Sequence, residues 1–221
     1  MSTRSSFLRR GFAVLCLGAL ASACSVFGIR SGYEEAAHTV LVEDEPFEVR
    51  QYEDALIART VTEGEYGEAG NAAFRRLGGY IFGDNVSQES IAMTTPEFQE
   101  PADPEAGESE TIAMTTPVFQ EQQTDGRWEQ TFVLPSEYTL ETLPVPTDPN
   151  VEITTLPGKR VAVVRFSGFR SMDKLEAQTE RLRAWIAERG LTPTGDPRIA
   201  AYDPPWTLPF LRRNEIQIEV E

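Results

Sequence analysis

The order strand, strand, helix, strand, strand occurs twice along this chain, and that doubling constrains its fold more than any other feature. In the first half, Phe47-Glu48-Val49-Arg50-Gln51-Tyr52 alternates as a strand does, and Ala55 to Thr62 reads as a second strand after a turn at Glu53-Asp54. Residues 68–82 read as a helix, with Ala72, Ala73, Leu77, Tyr80 and Ile81 spaced for one face and Gly83-Asp84-Asn85 as its stop. Trp128 to Leu134 is a further strand. The second half repeats the order. Val151 to Leu156 and Arg160 to Phe166 are strands, and Ser171 to Arg189 is a helix with Leu175, Leu182, Trp185 and Ile186 on its buried face. Ser171 or Asp173 can cap that helix, and Gly190 closes it. Arg198 to Tyr202 and Glu215 to Val220 complete the half; in the last strand Ile216, Ile218 and Val220 face one way and Glu215, Gln217 and Glu219 the other. The expected fold is α+β: two similar ββαββ halves, about eight strands in a curved sheet or distorted barrel, flanked by two helices. A cleft is expected where the halves meet.

A shorter repeat lies inside the first half. Ile91-Ala92-Met93-Thr94-Thr95-Pro96-Glu97-Phe98-Gln99-Glu100 recurs at 112–121, where only Val118 departs from the first copy. Both copies suit short strands, each with its proline at a strand end or bulge. Between them Pro101 to Glu110 is acidic and poor in apolar residues, which reads as a solvated loop.

The N-terminus speaks to compartment. Arg4, Arg9 and Arg10 precede an almost wholly apolar run from Phe12 to Leu20, and Ala21-Ser22-Ala23 follows, a pattern that reads as a secretory signal peptide over 1–23. Two readings of the cut coexist, an ordinary signal-peptidase site and a lipobox in which Cys24 is acylated. Both leave Cys24 as the first mature residue. Ser25 after it leans toward the outer membrane. Residues 24–45 read as a tether and 46–221 as one domain.

Removing 1–23 takes away Cys16 and three arginines, so one cysteine remains and the net charge moves from −15 to −18. Such a charge argues against nucleic acid and against electrostatic docking on anionic lipid. Membrane contact is expected through a lipid anchor at Cys24 alone.

Catalytic parts are scarce. His38 is the only histidine and falls in the expected tether. No Cys/His metal spacing, P-loop, Gly-x-Gly-x-x-Gly or Gly-x-Ser-x-Gly is present. Ser171-Met172-Asp173-Lys174 matches the Ser-x-x-Lys of acyl-enzymes, but its companion motifs are missing and Ser171 stands where a helix cap belongs. No reaction is expected.

Several blocks together resemble the SOUL haem-binding family: Phe47 to Tyr52, the helix end from Phe74 to Asn85, Ile112-Ala113-Met114-Thr115-Thr116-Pro117-Val118, Tyr202-Asp203-Pro204-Pro205-Trp206, and Phe210 to Ile216. They occur in the family's order over residues 46–221. The resemblance implies a barrel-like sheet of two halves with two helices, and haem or another tetrapyrrole as a non-covalent ligand. By position, it places the site between the first helix (Asn71, Phe74, Arg75 and Gly78) and the loop before the last strand (Trp206, Leu208, Phe210 and Arg212). Where some relatives carry a histidine proposed to bind iron, this chain has Gln51, a poor ligand; Met93, Met114 or a tyrosine are the other conceivable ones.

Physical chemistry makes sense of parts of that site. Gly78 and Gly79 each cost a helix about 1 kcal/mol relative to Ala, so something flat or close-packed should press there, a macrocycle or the sheet itself. Phe74 and Trp206 could stack on a ring system, and Arg75 or Arg212 could pair with propionates. Two readings follow: a reversible haem carrier or buffer, and a non-enzymatic interaction protein presenting the same groove to a protein partner or another hydrophobic ligand.

Overall fold

In a computed structural model, residues 32–88 and 108–221 are described. In chain order they form β1 (Glu34–Glu35), β2 (His38–Asp44), β3 (Phe47–Tyr52), β4 (Ala55–Thr62), α1 (Tyr66–Ile81), β5 (Asn85–Val86), β6 (Thr115–Thr116), β7 (Val118–Gln122) and β8 (Trp128–Val133). There follow β9 (Val145–Pro146), β10 (Glu152–Leu156), β11 (Arg160–Phe166), α2 (Met172–Glu188), β12 (Arg198–Ala201), a 3-10 turn at Pro209–Leu211 and β13 (Asn214–Glu219). The main sheet has nine strands in the order β10-β4-β8-β7-β12-β13-β11-β3-β2, all antiparallel.

Read outward from the β7–β12 seam, the order is β7, β8, β4, β10 on one side and β12, β13, β11, β3 on the other. These are equivalent strands of the two halves, with the first strand of each exchanged onto its counterpart. The eight expected strands are therefore present in a two-fold arrangement, and β2 is a ninth. β3 and β4 stand six places apart in the sheet yet are joined by only Glu53-Asp54. The sheet must curl round to allow that. The equivalent β10–β11 connection crosses the first one: Gly158 N donates to Asp54 Oδ1 (2.7 Å) and Tyr52 N to Lys159 O (2.9 Å). A Cβ at Gly158 would stand 2.4 Å from Tyr52 O, so close an approach that only glycine fits.

Each helix covers one half of the outer face. α1 buries Ala69, Ala73, Leu77, Tyr80 and Ile81 at helical spacing and packs Leu77, Tyr80 and Ile81 on Ala58, Phe132 and Leu134. α2 buries Leu175, Leu182, Trp185 and Ile186 on Val49, Ala162, Val164, Ile216 and Ile218. Both helices run within a residue or two of their expected spans. Gly190, at φ 68°, ends α2 as expected, with Leu191 N on Ile186 O (3.1 Å).

Three expectations change. The segment read as tether up to residue 45 contains β1 and β2, and β2 is tied down because Asp44 accepts from Trp185 Nε1 (2.8 Å) and pairs with Arg189. His38 is therefore a strand residue, its Nδ1 2.9 Å from Ala36 O and its ring 5.0 Å from Tyr52. Ser171 occupies the N-cap with extended backbone but makes no side-chain cap bond, and Lys174 Nζ donates to Ser167 O (2.7 Å), so the Ser-x-x-Lys match has no shared chemistry. The alternation expected of β13 is present, and its polar side is enclosed. Glu215 and Gln217 face inward and are fully buried, because the curl encloses the inner face as the helices enclose the outer one. The first copy of the short repeat, with Met93, lies outside the described residues. In the second copy Thr115–Thr116 and Val118–Gln122 are strands and Pro117 stands between them.

Polar groups fill the inner face near β3 and β13. Arg50 reaches Glu215 through both terminal nitrogens (2.9 and 3.0 Å), Tyr202 and Gln217 donate to the same carboxylate (2.9 Å each), and Arg213 Nε adds a bond of 2.9 Å. Glu35 of β1 closes the cluster on Arg213 (2.9 Å).

Candidate functional site

On α1, Asn71, Phe74, Arg75 and Gly78 share one side because residues three and four apart are neighbours on a helix. Asn71, Phe74 and Arg75 are exposed; the Phe74 ring stands edge-on to Phe132 at 5.4 Å and keeps 41% of its surface open. The two glycines have different causes. A Cβ on Gly79 would strike Asp84 Oδ2 at 2.3 Å, where Asp84 N closes the helix on Gly79 O. A Cβ on Gly78 would meet nothing within 4 Å. Sheet packing therefore does not account for Gly78, which is buried although a methyl group would fit there.

Phe82 continues the line one turn further. It is 65% exposed, and the sequence reading includes it in the helix without giving it a place in the site. Phe74 and Phe82 are eight residues apart, about 12 Å along the axis. The result is a shelf with an exposed aromatic ring at each end and a buried glycine between them. Arg75 beside it has no hydrogen-bond or ion-pair partner among the described residues, so its charge is available.

The loop side is held together by Arg212. Its Nε donates to Thr207 O (2.8 Å) and its Nη2 to Pro205 O, bracketing Trp206, while its guanidinium lies over Phe169 at 5.4 Å. Trp206 and Phe210 are left 63% and 70% exposed, and Leu208 is half-buried. Arg212 is thus largely spent on the loop's own carbonyls.

Helix and loop are coupled through Arg170, a residue the sequence reading passed over. Gly168 N donates to Pro209 O (2.7 Å), Asn214 Nδ2 to Gly168 O (3.1 Å), Arg170 Nη1 to Asn214 Oδ1 (3.0 Å) and Arg170 Nε to Tyr66 Oη (3.3 Å), the first residue of α1. Gln51 does not join them. It pairs with Arg160 in β11, whereas the loop meets that strand at Phe166, six residues and about 20 Å away. Its carboxamide donates to Tyr52 O (3.1 Å). Position along β3 is the reason, since the end that carries Gln51 is the far end from the loop. Among the described residues no group of three or more His, Cys, Asp or Glu could hold a metal ion.

A curled antiparallel sheet of two interlocked halves, with a helix on each, defines an α+β domain that carries an exposed aromatic shelf beside a free arginine. The SOUL heme-binding protein model matches residues 33–108 and 102–219, and the chain belongs to that family. No curated protein matches the chain. Among solved structures it is similar to the EcmrR C-terminal domain (TM-score 0.54, 13% identity, 79% of this chain and 96% of that one). It is also similar to a structure described as a hydrolase from Listeria innocua (TM-score 0.50, 11% identity, 82% and 94%). At such identities these likenesses concern the fold.

Proposed function

We propose that this protein is a non-enzymatic carrier or buffer that binds haem or a related tetrapyrrole reversibly. The observation that carries the proposal is the α1 shelf of Phe74, Gly78 and Phe82, with Arg75 alongside. Family membership supplies the ligand class. A flat macrocycle lying on the shelf would touch both rings and pass over the stretch between them, and Arg75 would pair with a propionate, with Asn71 as a neutral donor. Bound haem would bring an iron centre with ligand positions of its own. The shelf offers no imidazole or thiolate to it, so affinity comes from apolar contact and charge, which suits release. The exposed Trp206, Phe210 and Phe169 favour a second reading, a protein partner on the same surface.

The test is a haem titration of residues 24–221, which keep every described strand and helix, followed by absorbance and Trp206 fluorescence. One-to-one binding is expected, weakened about tenfold by Phe74→Ala and by Arg75→Glu, since each removes about 1.5 kcal/mol of contact. Absence of saturable binding, or indifference to both changes, would move the function to the protein-partner reading.

We also propose that the mature chain is held in the cell envelope, on the outer membrane, by acylation of Cys24. The basic start, the apolar run and the small residues before Cys24 support this. Mass spectrometry of the N-terminal peptide from expressing bacteria should give a mass raised by acyl chains. An unmodified Cys24 would leave export without an anchor.

A further inference from the structure

The inner face of the sheet is paved with arginines that are paired. Arg50 meets Glu215 at 2.9 Å, Arg59 meets Glu152 at 2.9 Å, and Arg165 meets Glu48 at 3.0 Å. Arg198 on β12 is different. Among the described residues no carboxylate lies within ion-pair distance of it, in a chain with 35 acidic residues. Its Nε and Nη2 both donate to Gln217 Oε1 (3.1 and 2.9 Å), and its guanidinium packs 4.2 Å from the centre of the Phe119 ring. Nη1 is left without a described partner. Burial pushes the pKa of Arg198 below the usual arginine value, against the pull of Tyr52, Glu219 and Glu121. The side chain keeps some solvent access, so it is better placed as lining a cavity than as sealed in the core.

That cavity holds about 200 Å³, room for six or seven waters. Ile57, Phe119, Leu156 and Pro157 form its apolar wall. Thr131 and Thr154 also line it, and neither hydroxyl bonds to any described residue. Among the uncommitted groups are one guanidinium nitrogen and two hydroxyls, beside hydrocarbon. A guanidinium nitrogen flanked by hydroxyls that can donate suits an oxyanion. Glu121 and Glu129 also line the cavity, and their charge disfavours a dianion more than a monoanion.

We propose that this cavity binds a small monocarboxylate with an apolar body, its carboxylate on Arg198 and its hydrocarbon against Ile57, Phe119 and Leu156. The site is separate from the haem shelf, because the sheet stands between them. β4 and β8 turn Ala58 and Phe132 toward α1, and turn Ile57 and Thr131 toward the cavity. A second ligand would thus be held inside a family whose tetrapyrrole reading concerns the outer face.

The experiment titrates residues 24–221 with hexanoate, its neutral isostere hexanamide, and inorganic phosphate, read by NMR shifts of the Thr131 and Arg198 amides. Hexanoate is expected to bind saturably and about tenfold or more tighter than hexanamide, the worth of one charge-assisted hydrogen bond. Arg198→Gln should erase that preference, and Thr131→Val should weaken hexanoate binding several-fold. Phe74→Ala should leave hexanoate binding unchanged while weakening haem, so failure of one reading is distinguishable from failure of the other. Equal affinity for acid and amide in the unaltered protein would overturn the proposal, and that comparison stands even if Arg198→Gln fails to fold. Tighter binding of phosphate than of hexanoate would overturn the ligand class. Loss of hexanoate binding in Phe74→Ala would overturn the separateness of the two sites.

Discussion

Arg50→Met is expected to lower the stability of the domain by about 3–5 kcal/mol, the usual cost of leaving one partner of a buried ion pair alone. Arg50 is fully buried, and so is Glu215, the carboxylate it grips with two nitrogens. Removing the guanidinium leaves Glu215 with Arg213, Tyr202 and Gln217, which cannot restore the lost charge contact at the centre of the cluster. Methionine fills much of the vacated space, so a cavity contributes little to the loss. Urea unfolding of the single variants and of Arg50→Met/Glu215→Leu measures it directly. The double variant should lose less than the two single losses together, because the pair then leaves as a pair. A loss under about 1 kcal/mol for Arg50→Met would mean that water or a shifted side chain replaces the ion pair, and that the inner face is less closed than the packing indicates.

This cluster is also where the sequence was least legible. The alternation of Ile216, Ile218 and Val220 with Glu215, Gln217 and Glu219 is a true strand signal, and the element it marks is present. What alternation cannot state is whether the polar side meets water. That depends on the curl, which brings Arg50 and Glu215 together across 165 residues of sequence. The helices were easier, since the apolar stripe of α2 is a local pattern with its glycine stop beside it. β2 was missed because His38 to Asp44 lies at an edge, mostly exposed, and owes its order to Trp185 and Arg189 far along the chain.

At the shelf, the resemblance to SOUL proteins led to Asn71, Phe74, Arg75 and Gly78, and these do share a side of α1. Phe82 completes the shelf but is hidden in sequence by the helix-ending Gly83-Asp84 that follows it. The unpaired state of Arg198 was out of reach for a related reason: in so acidic a chain, only coordinates show which arginine lacks a carboxylate.

Acid should weaken the fold through Glu215 by about 3 kcal/mol between pH 4.5 and 2. Burial alone would raise the pKa of this carboxyl; the charge and hydrogen bonds of Arg50, with Arg213 and Gln217, overrule burial and hold it down at about 2, against an ordinary 4.5. The unfolded chain therefore takes up the proton first. A group depressed on folding contributes its stability in full above the unfolded pKa and loses it as pH falls toward the folded one. A shift from 4.5 to about 2, at about 1.4 kcal/mol per unit, sets the size of the loss. Denaturant unfolding of the unaltered protein and of Glu215→Gln, at steps from pH 7 to pH 2, isolates this group from the other carboxylates. Glu215→Gln should be the weaker protein at pH 7 by about 3 kcal/mol, and the gap should close as pH approaches 2. A gap that stays constant with pH would show that Glu215 is not the ionised centre of the cluster, and the charge balance assigned to Arg50 and Arg213 would have to be redrawn.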